Sequence, residues 1–130
     1  MAIAKMKAVF QSEIKDVWNV VTSLDNYGWR SDLSKIEVIN DRQFIEYTKE
    51  GYATTFTITV MKPLERWEFD MENSNMIGHW TGAFSNNNGQ TETEFTEEVT
   101  AKKLIMRPFV KAYLKRQQKK YVMDLRRALQ

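Results

Sequence analysis

The segment Gly78–Thr100, GHWTGAFSNNNGQTETEFTEEVT, reads as a single β-hairpin. Asn88-Gly89 supplies the turn, because both central residues of a type I′ turn need positive φ. Gly78–Ser85 and Thr91–Thr100 flank it as strands. Side chains alternate between the two faces of a strand, so Trp80, Gly82 and Phe84 share one face. Thr93, Phe95, Glu97 and Val99 form a matching set on the partner. With the apolar sets turned inward, Glu97 is carried inward too, and His79 is turned outward.

Upstream, four more strand-like segments follow one another: Lys35–Ile39, Gln43–Lys49, Ala53–Met61 and Glu65–Glu72. Turn residues separate them, at Asn40-Asp41, Glu50-Gly51, Lys62-Pro63 and Asn73-Ser74-Asn75. Trp67, Phe69 and Met71 alternate onto one face. Ala4–Phe10 reads as a first strand. Ser12 is placed as an N-cap, with Glu13 in the first turn of a helix. Ile14, Val17, Trp18 and Val21 then recur at helical spacing, and that helix ends near Ser23. Asp25–Leu33 is a turn with one short helical piece, presenting Tyr27 and Trp29 around Gly28. Seven strands joined by short turns predict a sequentially paired antiparallel sheet.

Downstream, Pro108 suits the first turn of a helix, where its missing N–H leaves nothing unsatisfied. No breaker follows before Ala128, which predicts a helix about 32 Å long. Its inner stripe reads Val110, Tyr113, Leu114, Gln117, Tyr121, Asp124, Leu125 and Ala128. Lys111, Lys115, Arg116, Lys119, Lys120, Arg126 and Arg127 take the opposite arc. Ala101–Gln130 holds ten Lys or Arg against one acid, Asp124; that segment is +9 and the first hundred residues are −7 in a chain of net charge +2.

With 130 residues, 42% hydrophobic and 28% charged, the chain is expected to fold as one domain over 1–130 with its own core. The absence of cysteine excludes disulfides, thiolate zinc sites and cysteine nucleophiles. A single histidine excludes a two-histidine metal site. No phosphate loop, dinucleotide fingerprint or nucleophile elbow is present, so no cofactor and no metal are expected. Met1–Phe10 has no secretory pattern and no stretch has transmembrane length, which gives a cytoplasmic expectation.

Six stretches carry a family likeness: Ser12-Glu13-Ile14-Lys15-Asp16-Val17-Trp18, Leu24-Asp25-Asn26-Tyr27, Lys62-Pro63-Leu64-Glu65-Arg66, Gly78-His79-Trp80-Thr81, Thr96-Glu97-Glu98-Val99, and the Pro108 helix with Tyr113-Leu114-Lys115-Arg116-Gln117. On these the chain resembles the polyketide cyclase/dehydrase-like branch of the START/Bet v 1-like (SRPBCC) superfamily. The likeness spans nearly the whole chain. Similar proteins often carry Tyr-Pro-x-Trp after the first helix, where Tyr27-Gly28-Trp29 here is shorter. The resemblance implies an α+β helix-grip fold: a curved seven-stranded antiparallel sheet around a long C-terminal helix, with one or two short helices after strand 1. It also implies a cavity between sheet and helix for a lipid, isoprenoid or aromatic polyketide-like molecule.

Within that frame, Trp67, Phe69, Trp80, Phe84 and Phe95 supply core and cavity wall, and Tyr113, Gln117 and Tyr121 face them from the helix. Gly82 and Ala83 add little volume on the sixth strand, which leaves room for a cavity. Glu97 is the candidate chemical group, since a carboxylate on an apolar face needs a partner or gives up its charge. Three functions follow. The first is a carrier or sensor of a small hydrophobic ligand. The second is a cyclase/dehydratase-like enzyme pairing Glu97 with Tyr113 or Tyr121. The third is an interaction module whose basic helix face meets a protein, RNA or a membrane surface. DNA is not expected, and the chain is expected to be a monomer or homodimer.

Overall fold

A computed structural model describes residues 1–130. β1 (Ala2–Phe10) leads into α1 (Ile14–Thr22). Six strands follow: β2 (Leu33–Val38), β3 (Gln43–Thr48), β4 (Ala53–Lys62), β5 (Arg66–Glu72), β6 (Met76–Asn87) and β7 (Gln90–Ala101). A 3-10 segment, Leu104–Phe109, precedes α2 (Val110–Ala128). The expected strand ends all lie within two residues of the observed ones. The Asn88-Gly89 turn has φ of 54° and 82°, as a type I′ turn requires.

All neighbouring strands are antiparallel, in the order β1-β7-β6-β5-β4-β3-β2. From β2 to β7 each strand pairs with the next in sequence. β1 instead closes beside β7, so α1 and the loop after it carry the chain from one edge of the sheet to the other. Register shifts at Leu33/Lys35 and Ile58/Val60 help curve the sheet. The concave face is the apolar one. Phe44, Phe56, Trp67, Phe69, Met71, Trp80, Phe84, Phe95 and Val99 are buried there with Val17, Trp18 and Val21 of α1. The convex face carries Glu68, Asp70 and His79, whose ring nitrogens each lie 2.7 Å from one of those carboxylates. His79 therefore faces outward, as alternation requires. Burial opposes its protonation, but the two hydrogen-bonded carboxylates outweigh that and raise its pKa.

Three local expectations are corrected. Ser12 does not cap α1; Glu13 occupies the N-cap and no side chain bonds there. The Ser12 carbonyl instead accepts a 2.7 Å bond from the Thr91 hydroxyl, which ties the loop to β7. Pro108 lies in the 3-10 segment, two residues before α2 begins. The helix is also rotated from the expected stripe: Leu114, Gln118, Val122, Asp124 and Leu125 are buried, whereas Ala128 is exposed. The helix lies chiefly across β1 and β7, and this placement favours Gln118, whose amide donates to the Ala4 carbonyl at 2.9 Å. Asp124 accepts from the Ser31 N–H at 2.9 Å and its hydroxyl at 2.7 Å, which anchors the post-α1 loop to the helix.

Gly82 has a different role from the one its small size implies. A Cβ there would lie 2.6 and 2.8 Å from the outer ring atoms of Trp80. The indole of Trp80 fills the space over Gly82 and stacks on Phe69 at 4.8 Å and Phe95 at 5.3 Å. No cavity lies there; Ala83 is turned to the convex side. Gly82→Ala should therefore dislodge Trp80, at a cost of about 1–3 kcal/mol. The denaturation midpoint should fall and the near-UV circular dichroism should change; an unaltered midpoint would contradict the packing described.

Candidate functional site

The concave sheet and α2 do not meet everywhere. Between them lies a cavity of about 180 Å³, bordered by 26 residues, 16 of them hydrophobic. Of the residues expected from sequence, Trp67, Phe69, Trp80, Phe95, Glu97, Tyr113, Gln117 and Tyr121 all border it. Phe84 does not. It packs edge-on against Trp18 of α1 at 5.0 Å and belongs to the core. Tyr113 is 49% exposed, so it marks the rim and not the floor.

One wall is polar, and its centre is a residue that periodicity did not single out. Arg30, in the loop after α1, is largely buried, with 15% of its side chain exposed. Its guanidinium donates to Asp32 at 3.1 and 2.9 Å and to Glu46 at 3.3 and 3.3 Å. It also lies over the ring of Tyr121, 5.1 Å from the centroid, and beside Trp29 at 5.8 Å. Burial alone would lower the pKa of Arg30; Glu46 and Asp32 more than reverse this and hold the charge in place. The converse holds for Asp32. Burial pushes it up, but the hydrogen bond and charge of Arg30 bring it below its ordinary value.

Glu97 lies opposite Trp80 on one side and Ala4 on the other. The small Ala4 leaves its carboxyl facing the cavity. Enclosure pushes its pKa up to about 7, against the pull of Arg30 and with the repulsion of Glu46. No hydrogen bond contributes to that balance. Tyr121 is held well above its ordinary range by burial, against the opposing charge of Arg30. Its phenol stays protonated at any physiological pH. Three further polar atoms on cavity residues are buried without a partner: Trp29 Nε1, Trp67 Nε1 and Gln118 Oε1. No group of three or more His, Asp or Glu side chains is arranged to hold a metal ion.

Glu46 was legible by the same argument that found Glu97. It stands two residues from the buried Phe44 on β3 and so shares its face, which carries a carboxylate inward there as well. Trp29-Arg30-Ser31-Asp32 offered only composition, because its partners come from residues distant in sequence.

No family model matches the chain, and no curated protein matches its sequence. Solved structures do match. A START superfamily protein from Mycobacterium smegmatis superposes with a TM-score of 0.83 at 13% identity, covering 99% of this chain and 97% of that one. A conserved protein from Geobacillus kaustophilus gives 0.83 at 10% identity, covering 98% and 94%. DynU16, from the dynemicin biosynthetic locus, gives 0.79 at 11% identity, covering 99% of this chain and 47% of that one. This is the START-like helix-grip fold. The START-like sheet here cradles a mainly hydrophobic cavity with a charged wall, built from the buried Arg30 and three carboxyl groups, with Lys120 on its border.

Two predictions follow from these positions. Gln118→Leu should cost about 1–3 kcal/mol, because the Ala4 carbonyl loses its buried donor. Gln117→Leu should leave the stability of the free protein nearly unchanged. Equal losses on chemical denaturation would show that the two amides are not distinguished in this way.

The second concerns Glu97. Its folded pKa lies above its unfolded value near 4.5, so the folded chain binds the extra proton between about 4.5 and 7. Stability from this group is complete below the unfolded pKa and is lost as pH rises through the folded one. The loss is on the order of 3 kcal/mol above neutrality. Glu97→Gln should therefore stabilise the chain at pH 8 relative to pH 5. His79 is present in both proteins, so it cancels from the difference. A difference independent of pH would disprove the raised pKa.

Proposed function

We propose that the chain binds a small, largely apolar molecule whose single polar end is neutral or cationic, in the cavity between the sheet and α2. The observation that carries this reading is the Glu97 carboxyl, which faces a mainly hydrophobic cavity without a hydrogen-bond partner of its own. The two buried indole N–H groups and the Gln118 oxygen add to it. An unpartnered buried polar atom costs about 1–3 kcal/mol, and a bound molecule would recover that.

Charge selects the polar end. Arg30 is already matched by Asp32 and Glu46, and Lys120 on the border is exposed to solvent, so the enclosed part of this wall is negative before Glu97 ionises. A carboxylate or phosphate ligand would meet repulsion there, whereas an alcohol or amine would find acceptors. Size selects the rest. A cavity of about 150 Å³ accommodates a benzene ring, so the present one suits one ring or the end of a chain. A multi-ring molecule would need α2 to move or would project past Tyr113 and Lys120.

A phenylalkyl amine, alcohol and carboxylate sharing one skeleton would test this. The amine and alcohol should raise the melting temperature, with about 2.7 kcal/mol of stabilisation at a hundred times the dissociation constant. Amine affinity should rise as pH passes through about 7, because Glu97 ionises and pairs with it. Tightest binding by the carboxylate, or no shift with any of the three, would overturn the reading.

A second reading rests on the same group. A carboxyl held near neutrality beside a phenol that keeps its proton is suited to general acid–base work. Glu97→Gln separates the two: a binder keeps its affinity for the alcohol, while an enzyme of the cyclase or dehydratase type keeps binding and loses turnover.

A further inference from the structure

We infer that the 3-10 segment Leu104–Phe109, with the first turns of α2, is a docking surface for an anionic lipid bilayer. Four large apolar side chains stand in solvent there: Leu104 at 72% exposure, Ile105 at 78%, Met106 at 50% and Phe109 at 63%. None of the six residues of the segment is buried, so core packing accounts for none of them. Scattered exposed apolar residues are ordinary; four within six positions form a patch of the kind that marks an interaction site.

The flanks identify the partner. Lys102, Lys103, Arg107, Lys111 and Lys115 surround the patch, and no acidic residue occurs from Ala101 to Met123. Lys102 is engaged with Glu72 at 2.8 Å, and the Arg107 Nε donates to the Ala101 carbonyl at 3.2 Å. Lys103, Lys111 and Lys115 make no ion pair within the chain. Apolar side chains ringed by Lys and Arg are the pattern that enters the headgroup boundary of an anionic membrane.

Other occupants fit less well. A two-fold contact with a second copy would bring the same patch against itself, and Lys103 and Lys111 would face like charges. RNA would use aromatic rings for stacking, and three of the four exposed side chains are aliphatic. The inference does not depend on what the cavity holds. Tyr113 nonetheless lies one helical turn beyond Phe109 and borders the cavity, so docking would set the cavity rim beside the lipid.

Flotation of the intact chain with phosphatidylcholine vesicles, with and without phosphatidylglycerol, tests this. The chain should bind the anionic vesicles at low salt, release as salt rises, and bind phosphatidylcholine alone weakly. The double substitution Leu104→Glu with Ile105→Glu should lower partitioning by about tenfold or more, with an unchanged melting temperature. Lys103→Glu with Lys111→Glu should weaken binding and flatten its salt dependence. Failure to float with anionic vesicles would overturn the inference. So would unaltered binding by the Leu104/Ile105 variant, which would leave only the charge of α2 at work. Concentration-dependent dimerisation abolished by that variant, without vesicle binding, would assign the patch to a second copy instead.

Discussion

A guanidinium held under a helix and beside aromatic rings has to be matched by charge, and much of this molecule is organised around that need. Arg30 takes both its partners from outside helix and core: Asp32 from its own loop and Glu46 from β3. Removing either partner from a buried pair generally leaves an uncompensated charge and is strongly destabilising. The cluster therefore fixes the loop after α1 against the far half of the sheet, while Asp124 fixes the same loop to α2 through Ser31. Neighbouring residues of one connection are thus tied to two different elements, Arg30 to β3 and Ser31 to α2. Arg30 and Asp32 thereby stand on the border of the cavity between sheet and helix.

The strands were legible because three independent signals agreed: alternation, turn chemistry and β-favouring composition. The hairpin around Asn88-Gly89 is the clearest case, since a local rule set both its turn and its register. Glu97 was legible because alternation is a strict constraint on a sheet with one apolar face. The helix was harder. Gln117 and Gln118 differ by a single position, and only the way α2 crosses β1 and β7 decides which amide reaches the Ala4 carbonyl. Ser12 shows a similar limit. Its type suits a cap, but a hydrogen bond from Thr91, far along the chain, uses its backbone differently. Arg30 was hidden for the same reason, because a loop has no period from which to infer what it faces.

The charge distribution has a structural counterpart. The acids of the first hundred residues include Glu68, Asp70, Glu72, Glu94 and Glu98 on the convex side of the sheet, and the bases concentrate on α2 and the segment before it. The protein is thus polarised, with an acidic back and a basic front, and the cavity lies beneath the basic element. An approaching negative surface would be oriented by this separation before any contact formed.

The closing of β1 beside β7 bears on how the chain is made. Ala2 is paired with Val99 and Phe10 with Thr91, so the first strand has no partner until the last one exists. During synthesis at about 5–20 residues per second, that edge waits roughly 5–20 s before it can be zipped up. β2 to β6 can meanwhile form as a meander, each strand adding to the one just made. Assembly on the ribosome must therefore leave β1 unpaired until β7 has emerged: residues made early are among the last to find their place.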